Sequence, residues 1–218
     1  AALTVRPGSA APASDMPRRP YAKGGPELSI IGFPGLVLAR VDQEEANQLV
    51  AESVEKGINY FDVAPAYGDA EVKLGPALEA FRKDVFLACK TKARDAEGAK
   101  KEFERSLERL RTDHFELYQL HCLADVKKDV DVAFGKGGVM EYLAEQKKAG
   151  RIRYIGFSAH TEEAALAAMD RFQFDSVMLP VGFSSWLKGE FGPKVVEKAA
   201  AQGVTVISIK GFCRGRWE

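Results

Sequence analysis

The chain has 218 residues, and its 31 Lys+Arg balance its 31 Asp+Glu, so it is formally neutral at pH 7. That balance excludes bulk electrostatic capture of nucleic acid or of an anionic membrane, both of which need a net basic face. Hydrophobic residues at 46% and charged residues at 28% make an ordinary globular mixture, and no apolar run approaches the roughly 20 residues of a membrane helix.

Residues 1–20 are rich in Ala, Pro and Ser without apolar periodicity and read as a disordered leader, with Met16 offering a natural start. Arg18-Arg19 are followed by Gly24, Gly25, Pro26 and Glu27 rather than by the apolar stretch of an export signal. From residue 21 to 218 the chain reads as a single α/β domain. Apolar, β-rich runs fall at 29–38, 58–64, 85–90, 115–121, 154–158, 176–182 and 204–210. Most are nearly continuous in apolar residues, as strands buried on both faces are.

Amphipathic helices alternate with these runs. Asp42 with Glu45 spells a capping box ahead of the stripe Ala46, Leu49, Val50 and Val54. Asp95 is placed to cap the next helix, and Thr161 a later one. Pro193 suits a first turn. Gly57, Gly150 and Gly203 each end a helix and step straight into a strand. Short joints at one end and longer loops at the other, 122–137 and 183–192, suggest repeated βα units closing as a parallel barrel. No GxGxxG follows the first strand, which argues against an open dinucleotide-binding sheet.

In such a fold, chemistry sits where the strands end. The second strand leads to Asp62 and Tyr67, the third to Lys90, the fourth to His121, and the fifth to Ser158 and His160. Ionisable groups ending successive buried strands are costly unless paired. An ammonium beside a tyrosine lowers the phenol pKa from about 10, and a carboxylate keeps that ammonium charged. A histidine can donate to the same substrate oxygen. The plain alternative is a structural ion pair among unrelated polar strand ends. The three cysteines, Cys89, Cys122 and Cys213, make no CxxC pair and no metal spacing, so no metal site is expected and a reducing cytoplasm fits. Neighbouring strand positions face opposite ways, so Cys89 is expected to face away from Lys90. His114 is expected at the surface. His160 is read as a loop or helix-capping residue. Phe33, Phe183 and Trp186 are candidate pocket walls.

The segments GINYFDVAPAYGDAE, VFLACKT, LRTDHFELYQLH and GRIRYIGFSAH resemble the aldo-keto reductase family over roughly residues 16–217. The resemblance implies a TIM-type (β/α) barrel, of which seven of eight βα units are present, so the chain is expected to be incomplete at its C-terminus. It implies NADPH as cofactor and a small aldehyde or ketone as substrate. It casts Tyr67 as general acid, Lys90 as the group that tunes it, Asp62 as the anchor of Lys90, and His121 as the residue that orients the carbonyl. Ser158, Gly35 and Lys210 become cofactor-binding candidates. The chain departs from the family pattern at Ala159 and Gly182, where asparagine is usual, at Met178, where glutamine is common, and at Pro34 in the first glycine-rich turn. Two other readings stay open: a non-catalytic nicotinamide-nucleotide-binding regulator on the same scaffold, and an inactive fragment of a longer reductase.

Overall fold

A computed structural model describes residues 15–22, 24–182, 186–187 and 191–211. A small antiparallel hairpin comes first, β1 (Arg18–Pro20) against β2 (Glu27–Ser29). Residues 18–20, expected to belong to a disordered leader, are held in this ladder; residues 1–14 of that expected leader lie outside the described residues. Tyr21, 2% exposed, follows the hairpin and sets its ring 4.9 Å from both Phe86 and Tyr154, under the strands to come.

The remaining strands make one seven-stranded parallel sheet in chain order. They are β3 (Phe33–Pro34), β4 (Tyr60–Asp62), β5 (Phe86–Thr91), β6 (Phe115–Leu123), β7 (Ile152–Ala159), β8 (Ser176–Pro180) and β9 (Thr205–Ile209). Consecutive parallel neighbours need crossovers. The helices supply most of them: α1 (Gln43–Glu55), α2 (Ala70–Leu78), α3 (Ala96–Leu110), α4 (Val139–Lys148), α5 (Glu162–Arg171) and α6 (Pro193–Gln202). The sheet curls into an open barrel wall with helices outside, which is the expected βα architecture.

Strand alternation explains the continuous apolar runs. In β5, Phe86 and Ala88 join an inner cluster with Tyr21, Tyr60 and Leu117, while Leu87 and Cys89 face the helices. All six residues of β5 are buried as a result. Among the described residues β3 and β9 do not pair with each other. Between them runs a cleft of about 800 Å³, lined in part by Phe33, Tyr60, Asp62, Tyr67, Met178 and Ile207.

The three expected caps form, although at Asp42 only the Asp half of the capping box is seen. The side chains of Asp42, Asp95 and Thr161 accept from the backbone N–H of Glu45, Gly98 and Ala164. Gly57, Gly150 and Gly203 adopt φ of +87°, +78° and +68°, which glycine tolerates without strain. The run at 29–38 does not form one strand. Ser29 closes the hairpin and its hydroxyl donates to Ile31 O at 2.7 Å. Pro34 has no N–H to extend a ladder, and Gly35–Arg40 coil into a 3-10 helix. The other runs hold as strands with ends shifted by a few residues. Helix α2, interrupted by Gly75 and Pro76, and the π-helical turn Val126–Asp131 in the loop after β6 have no counterpart in the periodicity.

Candidate active site

The parallel register brings the polar strand ends together. Asp62 ends β4 opposite Ala88, and Lys90 lies two residues beyond Ala88, opposite Gln119. The Lys90 side chain, 1% exposed, donates to Asp62 Oδ1 in a buried ion pair. The other carboxylate oxygen accepts from Gln119 Nε2 at 3.1 Å and from the Tyr60 hydroxyl at 3.2 Å. Asp62 is thus fixed by three donors. Tyr67 sits in the turn after β4, where its N–H donates to Ala64 O at 3.0 Å. Its ring centre is 5.3 Å from Lys90 Nζ and 5.8 Å from the His121 ring, the two rings edge to face.

Burial of Lys90 works against its charge, but Asp62 and then Tyr67 outweigh it and raise its pKa above the ordinary lysine value. Lys90 is therefore an ammonium at neutral pH. Burial also raises the Tyr67 phenol; Lys90 pulls it back and Asp62 pushes it up again. The net direction is upward, which corrects the expectation of a lowered phenol pKa: desolvation and the carboxylate together outweigh the ammonium. His121 is lowered to about 3, first by burial and then by Lys90, Lys92, Arg94 and His160. Its imidazole is neutral, and Nδ1 is buried without a hydrogen-bond partner.

The expected cofactor residues fall into three situations. Gly35 presses on the end of β4, where an added Cβ would stand 2.7 Å from Asp62 O. Ser158 is buried, and its hydroxyl oxygen already accepts from Cys122 N at 2.8 Å; its own proton remains available to donate. Lys210 follows β9 with φ +55° and lines the cleft together with Asp62 and Tyr67. Phe33 and Met178 are buried walls of the same cleft. Trp186 is 38% exposed, and Phe183 lies outside the described residues. Cys89 faces away from Lys90, its thiol against the buried Glu71 at 3.6 Å. His114 lies near the surface beside Asp113 and Glu116.

Sequence reasoning missed Tyr60 and Gln119. Each stands two residues before a named site residue, Asp62 or His121, so strand alternation alone places them on the same face. It also missed Arg94, whose guanidinium donates to His121 O at 2.8 Å; no short-range pattern links 94 to 121. Among the described residues no helix is long and apolar enough to cross a membrane.

Comparison with known proteins supports the fold and identifies the family. The profile of the aldo/keto reductase family matches residues 31–216. The uncharacterized oxidoreductase YqkF of Bacillus subtilis is 30% identical over 158 residues, 66% of this chain and 49% of that protein. The aldo-keto reductase YhdN of the same organism is 29% identical over 217 residues, covering 89% of this chain and 61% of that one. An aldo-keto reductase from Bacillus halodurans, solved in its holo form, superposes with a TM-score of 0.75 at 26% identity, over 88% of this chain and 65% of that one. The chain thus spans about half to three-fifths of the length of these curated relatives. With its profile match and its parallel βα sheet, this chain belongs to the aldo/keto reductase family.

Proposed function

We propose that the site reduces a small aldehyde or ketone, with NADPH as hydride source and Tyr67 as general acid. One observation carries the reading: a buried ammonium, held by a three-times-anchored carboxylate, lies 5.3 Å from the ring centre of a tyrosine that abuts a neutral histidine.

The residues fit a nicotinamide nucleotide. Ser158 retains a hydroxyl proton to donate and Lys210 presents a cation at the rim, whereas Gly35 is buried against the end of β4 and does not line the cleft. When bound, the reduced nicotinamide supplies hydride to the carbonyl carbon. The protein's share is the proton. Tyr67 is a neutral phenol at physiological pH because burial raises its pKa. It gives that proton to the carbonyl oxygen as negative charge gathers there. Lys90 stabilises the phenolate left behind, which regains a proton from water. Asp62 keeps Lys90 charged and in place. His121, neutral, donates an N–H to the same oxygen without competing as an acid. Free Cys89 and Cys122 suit a reducing cytoplasm as the place of work.

The test is Tyr67→Phe. Loss of a general acid should lower kcat by about 10²–10⁴-fold, while fluorescence titration with NADPH stays as in the parent. Near-normal turnover in the variant overturns the mechanism. A second reading, a nucleotide-binding protein without turnover, is favoured by Ala159 and Met178, which offer no side-chain amide to a carboxamide. It predicts saturable NADPH binding with no reduction across a panel of aldehydes and ketones. Rapid reduction of a simple aldehyde removes it.

A further inference from the structure

His121 sits in a break in its own strand. Leu120 pairs with Phe157, and Leu123 pairs with Ala159, so three steps along β6 match two along β7. His121 and Cys122 together oppose Ser158, which makes a β-bulge. Cys122 takes φ +68°, a left-handed conformation that is strained for a non-glycine residue. A bulge removes backbone groups from the ladder, and each buried one must find another partner.

Here the partners are side chains. Cys122 N donates to Ser158 Oγ at 2.8 Å. His121 O and Cys122 O accept from one nitrogen of Arg94, at 2.8 and 3.5 Å. Arg94 is 13% exposed, and its Nε donates to Asp129 Oδ1 at 2.9 Å. The other oxygen of Asp129 accepts from Ala124 N and Asp125 N at 2.9 and 3.0 Å. Three backbone groups of the bulge, His121 O, Cys122 O and Cys122 N, are thereby met, and the chain leaving the bulge is tied to the same carboxylate.

We propose that Arg94, braced by Asp129 and acting with Ser158, is the positioning residue for His121: it holds the left-handed bulge that aims the imidazole beside Tyr67. The proposal deepens the catalytic reading of His121 and rests on it. Ser158 then has a structural task besides any contact with a cofactor.

Arg94→Lys tests it. Lysine keeps the charge but not the planar fork that reaches two carbonyls and a carboxylate at once. The first readout needs no cofactor: NMR titration of the His121 side chain in the full chain. Lys90, Lys92, Arg94 and His160 act on this ring and Tyr67 packs edge-on against it, and Arg94→Lys changes none of these groups but the one at 94, whose formal charge it keeps. Release of the ring from its seat should raise its titration by about one pH unit or more, as burial relaxes. The second readout is kinetic. Misplacement on the order of 1 Å should lower kcat roughly a hundredfold, with KM for NADPH unchanged. Guanidinium ion added to Arg94→Ala should restore part of the loss. Asp129→Asn, which weakens the brace but leaves Arg94, should move both readouts the same way by less, and serves if Arg94→Lys does not fold. Parental His121 titration and parental kcat in Arg94→Lys overturn the proposal. His121→Gln separates the two ideas: parental turnover there sinks the catalytic role of His121, while the titration still decides whether Arg94 seats the ring.

Discussion

At the residue scale the decisive fact is a full charge kept out of water. Lys90 tolerates burial because Asp62 touches it, and Asp62 tolerates it because Tyr60 and Gln119 complete its coordination. Removing one partner of a buried pair leaves the other uncompensated, at a cost of about 3–5 kcal/mol. Asp62→Asn should therefore lose about that much stability at pH 7 in urea unfolding. The pH dependence follows from the sign. In the parent the folded pKa of Lys90 lies above its unfolded value, so the stabilisation is present below the ordinary lysine pKa and is lost only as pH rises through the higher folded one. In the variant the carboxylate is gone and burial, the largest influence, lowers the folded pKa, so the penalty is full at low pH and fades as pH climbs towards the unfolded value. The gap between parent and variant should narrow from pH 7 to pH 10; a constant gap would mean that Lys90 is not charged in its seat. Catalysis should show the complementary pattern. Tyr67 needs its proton and has a raised pKa, while His121 needs to be neutral and is lowered to about 3. Neither titrates between about pH 5 and 9, so kcat should be flat there in initial-rate measurements. A strong inflection near pH 6 to 7 would assign a different proton carrier. Asp62, Tyr67, Lys90 and His121 are legible in the chain because each ends or follows a strand. Their supports are less so. Tyr60 and Gln119 follow from alternation, whereas Arg94 and Asp129 are joined to the site by tertiary contacts that no local pattern encodes.

At the element scale the helices show where local chemistry decides and where packing overrides it. Caps are local: an Asp or Thr before an apolar stripe has a backbone N–H within reach three residues on, so Asp42, Asp95 and Thr161 could be read directly. Asp95→Ala should cost about 1 kcal/mol in urea unfolding with little change in m-value. Helix α2 is the opposite case. Its Gly75 and Pro76 argue against a helix on propensity, yet Gly75 lies so close to the Arg109 carbonyl of α3 that any Cβ would collide with it. The fully buried Glu71 ties the same two helices by accepting from Ser106 Oγ at 2.6 Å and Arg109 Nη1 at 3.2 Å. Gly75→Ala, which improves helix propensity, should nonetheless destabilise the protein by about 1–3 kcal/mol through overpacking. A stabilising outcome would show that the two helices can separate at no cost. The expected first strand failed for a related reason. Composition alone cannot tell that Ser29 belongs to a hairpin under the sheet and Phe33 to the sheet itself, because the turn between them is set by a side-chain bond to Ile31 O and by the proximity of Tyr60 to Gly32.

At the scale of the whole molecule, the βα order and six of the seven strands of the sheet are legible because burial on both faces of a parallel sheet leaves long apolar runs, while the curl of the sheet depends on contacts up to 184 residues apart in the chain. Tyr21 is the instance: its backbone oxygen accepts from the Thr205 hydroxyl, and its ring fills the space under β5 and β7. The hairpin thereby ties the start of the described chain to its last strand and shuts one end of the sheet. The opposite end carries Asp62, Tyr67 and Lys210 around the cleft between β3 and β9, so a ligand seated there touches both margins of the sheet at once. Such a ligand binds the folded state alone and must stabilise it by mass action, by about 2.7 kcal/mol at a hundredfold excess over Kd. For a domain of this size that is a rise in Tm of roughly 5–11 °C. NADPH should produce this rise in a thermal melt, and Lys210→Met, which removes an exposed rim cation, should shrink it without changing the melt of the free protein. An equal rise in the variant would take Lys210 out of the nucleotide site. No rise in the parent at millimolar NADPH would mean that the residues described here do not by themselves form the nucleotide grip, and that the proton delivery proposed for Tyr67, Lys90, Asp62 and His121 would need a cofactor held mainly by other residues.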